Sequence, residues 1–175
     1  MTQDEKAAEA VDPGPDAWQT ALTRFVTLIP HTRELGLEVI GVVPPEVTMR
    51  LPWRDELLGD TTRGLVHGGV LTMLLDTVCG SAVLCGLPSP EVCPTLDLRV
   101  DHYRPAVAGL PIMARARVLS VTESVVFTEG TLWQEPERPI ARGIGNFMRL
   151  GARNTPPGFS EALFSGANDG ANDHD

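Results

Sequence analysis

The chain has 175 residues, 42% of them hydrophobic, which is room for one medium-sized domain with a real core. Fourteen Lys and Arg stand against 23 Asp and Glu, and the resulting net charge of -9 argues against a nucleic-acid backbone or an anionic membrane as the main partner, leaving a small ligand or a protein. No run approaches the roughly 18 to 20 uninterrupted apolar residues of a membrane span, and residues 1–16 are acidic where a targeting peptide would be basic and then apolar, so a cytoplasmic protein is expected.

Charge also marks the domain limits. Residues 1–16 carry -4 and residues 151–175 carry -3, so the body from 17 to 150 is only -2. Both ends are rich in Gly, Pro, Ala, Asn and Asp and bury too little apolar surface to offset their ordering entropy; flexible acidic tails are expected around one domain spanning 17–150. Cys79, Cys85 and Cys93 are too few for a disulfide framework and lack the spacing of a zinc site, so they read as reduced, with no metal.

In chain order, Ala17 to Ile29 places Trp18, Leu22, Phe25, Val26 and Ile29 at helical spacing and stops at Pro30. Leu37 to Val43 and Val47 to Leu51, separated by Pro44 and Pro45, read as two hairpin strands. Pro52 to Val66 is a polar loop long enough to do more than connect. From His67 to Gly86 the pattern is a helix apolar on every side, which other structure must wrap. Four strand-like runs follow: Val92 to Tyr103, Leu110 to Val121, Ser124 to Trp133 and Pro139 to Leu150. The first alternates, with Leu96, Leu98 and Val100 predicted on a buried face and Asp97, Arg99 and Asp101 on a wet one. The sum is an α+β domain, an antiparallel sheet curled around one helix, with a sheet edge available for a second subunit.

The chemistry is best sought on that helix. Asp76 is the only charged side chain between Val70 and Leu87, where a lone carboxylate is costly unless it is hydrogen-bonded, by a hydroxyl such as Thr77 for example, or put to use. At the helix start, Gly68 and Gly69 leave backbone N–H groups uncovered at the positive end of the dipole. Those amides suit a carbonyl oxygen that gains negative charge, as in an oxyanion hole, although paired glycines also serve close packing or a tight turn. His67 reads equally as a capping histidine or as a residue facing substrate. Gly68 and Asp76 are eight residues apart, roughly 12 Å at 1.5 Å per residue, too far for both to reach one carbonyl within a subunit. If both act, a two-fold dimer with antiparallel helices brings Gly68 of one chain to Asp76 of the other.

The run His67-Gly68-Gly69, with Asp76 after six more residues, and the later segment from Thr95 to Ala106 resemble the hotdog-fold thioesterases of the phenylacetic-acid-pathway (PaaI-like) type over about residues 35 to 150. The resemblance implies a helix in a curled antiparallel sheet, homodimers commonly stacked into homotetramers, and hydrolysis of acyl-CoA thioesters without a cofactor. Carried over by position, it implies Asp76 as catalytic base or nucleophile, Gly68 as the oxyanion amide, His67 as the preceding residue that helps shape the site and Thr95 as the hydroxyl that orients water. Gly69 and Thr77 are candidate substrate contacts. Family members often have Asn six residues before the His, where this chain has Thr61, whose shorter hydroxyl cannot present separate donor and acceptor atoms. Arg99, Arg104, Arg115 and Arg117 read either as phosphate contacts or as solvated strand faces. Two competing readings are a non-catalytic acyl-CoA sensor of the same fold and, more remotely, a hydratase, whose Asp and His spacing is not found beside this helix.

Overall fold

The computed structural model describes residues 13–165, and its elements follow the apolar pattern closely. Helix α1 (Pro15–Leu28) has proline in its first turn, where the missing N–H has no helical acceptor anyway, and buries Trp18, Leu22 and Val26. Pro30 ends this helix and opens another, α2 (Pro30–Glu34), anchored by the buried Thr32 hydroxyl, which donates to the carbonyls of Val26 and Ile29. Strands β1 (Glu38–Val43) and β2 (Glu46–Leu51) form the expected hairpin, and Val47, Met49 and Leu51 point into the core.

The expected loop at 52–66 is more ordered than its composition suggests. A turn at Asp55–Leu57 leads into a small hairpin of β3 (Leu58–Asp60) and β4 (Leu65–Val66). The buried Leu57 and Val66 hold it down, the His67 amide donates to Leu57 O at 2.9 Å, and the Val66 amide donates to Ala106 O at 2.9 Å. Those bonds aim the chain into helix α3 (Gly68–Gly86).

Strands β5 (Thr95–His102), β6 (Ile112–Val121), β7 (Val125–Glu135) and β8 (Arg138–Met148) complete a six-stranded sheet in the order β1-β2-β6-β7-β8-β5, every neighbouring pair antiparallel. Helix α3 packs against β2, β5, β6, β7 and β8, with Leu74, Leu75 and Val78 fully buried. It lies close because the sheet is bare beneath it. A Cβ at Gly130 would sit 2.9 Å from Leu75 Cδ2 and 3.0 Å from Cys79 Sγ. By length and composition α3 could cross a bilayer, and its burial under the sheet is what explains that apolarity. The α+β architecture is therefore as expected.

Two local expectations fail. Leu96 is 53% exposed rather than buried, because the pairing of β5 with β8 shifts register between Thr95 and Asp97 and turns it out at the sheet edge; Leu98 and Val100 keep their half-buried positions. The flexible tail expected from 151 does not describe residues 151–165, which end in helix α4 (Phe159–Phe164). Leu163 is buried, Phe164 meets Trp18 edge-on at 4.9 Å, and Arg24 of α1 donates to Ala162 O at 3.1 Å. Residues 1–12 and 166–175 of the two expected tails lie outside the described residues.

Candidate active site

Among the described residues, one amide in the first turn of α3 has nothing to bond. His67 is the N-cap, and its Nδ1 accepts from the Gly69 amide at 3.0 Å, while the Val70 amide donates to His67 O at 3.0 Å. Gly68, the first helical residue, donates to no acceptor among the described residues, and His67, Gly68 and Gly69 are all exposed. The two glycines differ in kind. A Cβ on Gly69 would come within 2.9 Å of His67 Nδ1, so Gly69 makes room for the cap. A Cβ on Gly68 would meet only His102 Cε1, at 4.0 Å, so packing within the chain does not require a glycine there. The capping reading of His67 is the one its geometry matches. His102, at the end of β5, has no distinguishing mark in the sequence, and only the fold brings it beside Gly68.

Two turns along α3, Asp76 is half-buried and its Oδ1 accepts from the Thr95 hydroxyl at 2.8 Å. The hydroxyl that satisfies this carboxylate is thus Thr95 and not Thr77, which turns back on the helix to donate to Met73 O at 2.9 Å. Among the described residues no protein donor reaches Oδ2. Asp76 and Thr95 line a cavity of about 390 Å³ together with Met73, Thr77, Gly80 and Leu84 from the same side of α3. Cys93 lines it too, and burial, with the nearby charge of Glu91 behind it, pushes that thiol up to about 11. At neutral pH it is an uncharged wall and a poor nucleophile.

The remaining candidates scatter. Thr61 is exposed at the tip of the β3–β4 hairpin with no side-chain hydrogen bond among the described residues, and the fold does not bring it to Asp76 of its own chain. Arg99, Arg115 and Arg117 are exposed and pair with Asp101, Glu46 and Glu129, which fits solvated strand faces. Among the described residues no group of three or more His, Cys, Asp or Glu is placed to hold a metal.

This geometry has relatives. A family model described as the thioesterase superfamily matches residues 63–141, and a candidate esterase of Halobacterium salinarum is 34% identical over 121 residues, covering 65% of this chain and 80% of that protein. The chain belongs to the thioesterase superfamily. Membership places it among thioester hydrolases in general terms. The medium/long-chain acyl-CoA thioesterase YigI of Escherichia coli K12 is 25% identical over 137 residues, 71% of this chain and 88% of its own. Among solved structures, a Pseudomonas aeruginosa protein is 40% identical, with a TM-score of 0.69 over 76% of this chain and 99% of that one. The PaaI protein of the E. coli phenylacetic acid degradation operon, 21% identical, shares the fold at a TM-score of 0.67 over 77% and 94%. The superfamily match leaves α1, α2 and α4 outside its bounds.

Proposed function

We propose that this chain hydrolyses acyl-CoA thioesters in a cleft built by two copies of itself. The observation that carries the reading is the Asp76–Thr95 pair at a cavity on the central helix, a carboxylate held by one hydroxyl with its second oxygen open to a water. Water donates a proton to Asp76 as it attacks the thioester carbon, and the Gly68 amide of the other subunit takes the oxyanion. Collapse of that adduct breaks the C–S bond, and the Asp76 proton returns to the departing thiolate, giving an acid and free CoA. Attack by Asp76 itself, followed by hydrolysis of the anhydride, reaches the same products.

The strand β5 supports a shared cleft. Its Thr95 end touches Asp76 and its His102 end lies by Gly68, so it runs opposite to the first half of α3. It is also an unpaired sheet edge with Leu96 and Tyr103 more than half exposed. Pairing two such edges antiparallel about a two-fold axis sets the Thr95–Asp76 end of one chain against the His102–Gly68 end of the other. A homodimer has two equivalent clefts.

A second reading, an acyl-CoA sensor without turnover, is favoured by Thr61, which stands where an amide side chain is common in the family and makes no side-chain hydrogen bond among the described residues. A panel of acyl-CoA esters with free-thiol detection separates the two. Thiol release that falls about 10²- to 10⁴-fold in Asp76→Asn supports hydrolysis; binding without release supports the sensor.

A further inference from the structure

The cavity at Asp76 has a length that the sequence did not reveal. Its floor is the α3 stripe through Asp76, Gly80 and Leu84, eight residues or about 12 Å. The segment from Glu91 to Thr95 lines the cavity as well. Phe25, Ile29 and Phe159, on or beside α1, α2 and α4, elements beyond the superfamily match, also line it. Two of the polar groups on the lining are already satisfied: Glu91 Oε1 accepts from Arg149 Nε and Nη2 at 2.9 and 2.6 Å, its Oε2 from the Gly151 amide at 2.7 Å, and the Thr32 hydroxyl donates to backbone carbonyls. The lining is mostly apolar, and it also includes the exposed imidazole of His31.

From this we infer that the pocket is a ruler for straight medium-chain acyl groups, with Gly80 and Phe159 setting the length; the inference rests on the acyl-CoA reading above. A tetrahedral carbon chain advances about 1.25 Å per bond, so 12 Å accepts about ten carbons beyond the thioester. Gly80 lies about one turn from Asp76 on the cavity floor. A Cβ there would meet Phe147 Cε1 at 3.5 Å, ordinary contact, so a larger side chain enters the cavity without displacing the sheet.

The test is a series of saturated acyl-CoA esters from C2 to C16, with phenylacetyl-CoA alongside, read as kcat/KM by thiol release. The parent should gain up to about fourfold per methylene and level off near C10 to C12. Gly80→Leu should lower the C10 to C4 ratio at least tenfold, and Phe159→Ala should move the plateau to longer chains. A flat series, a preference for phenylacetyl-CoA over decanoyl-CoA, or equal losses on all lengths in Gly80→Leu overturns the ruler. Calorimetry of S-alkyl-CoA thioethers on Asp76→Asn reads the pocket without chemistry: affinity that climbs with chain length to the same plateau supports the ruler even if thiol release is absent, and length-independent affinity overturns it.

Discussion

The two ends of the first half of α3 expose polar groups in opposite ways. At the first turn the group with the proposed role is backbone, the Gly68 amide, left bare because no side chain among the described residues covers it and because His67 has capped its neighbour instead. At Asp76 it is a side chain, set into an apolar helix and held by a hydroxyl from another strand. A backbone donor keeps its place through the helix itself. A carboxylate needs tertiary structure to hold it, so the second region should be the more sensitive to distant substitution, and the first should respond only to changes in the peptide unit or its cap.

The largest expected effect is Asp76→Asn, a loss of about 10²- to 10⁴-fold in kcat on the preferred ester with an unchanged thermal midpoint. Next is Gly68→Pro. Proline is accepted at a first helical position, and His67 already has the extended backbone (φ -65°, ψ 130°) that a following proline demands. The substitution deletes one N–H and little else, so kcat should fall about 10²- to 10³-fold while the fold persists, as judged by circular dichroism. If Gly68→Pro turns over normally, the amide is not the oxyanion donor. Thr95→Ala should cost about tenfold in kcat, restored by Thr95→Ser, because a hydrogen bond to a charged acceptor is the one removed. Gly69→Ala sharpens the contrast within the first turn: it should cost about 0.5–2 kcal/mol in denaturant titration by dislodging the His67 cap, with a small effect on activity.

The smallest effect concerns pH. Burial pushes Cys79 up to about 11 and Cys85 up to about 12 from an ordinary value of 9.0. Unfolded thiols release protons near 9 while folded ones retain them, so stability is fully present below pH 9 and declines as pH rises from 9 through about 12. Urea midpoints at pH 8 and pH 10 should show the decline, and serine at both positions should reduce it.

The residues made the order of elements legible, along with the all-round apolar helix and the isolation of Asp76, because these are local periodicities. What they concealed is long-range pairing. Thr95 lies 19 residues from Asp76, and only family resemblance pointed to it. His102 reaches Gly68 through the path of β5, which no spacing encodes. Leu96 faces outward because of a register shift that alternation does not signal. Helix α4 was hidden by its Gly- and Pro-rich surroundings, although Phe159, Leu163 and Phe164 form a helical apolar stripe that could have marked it.

The claim that each cleft joins two chains is tested by co-expressing Gly68→Pro and Asp76→Asn subunits. In a mixed dimer one cleft inherits both lesions and the other neither, so random pairing of equal amounts should restore about a quarter of parental activity from two nearly inactive variants. Activity no higher than that of the separate variants, with mixed dimers present by native mass spectrometry, would show that each site lies within a single chain.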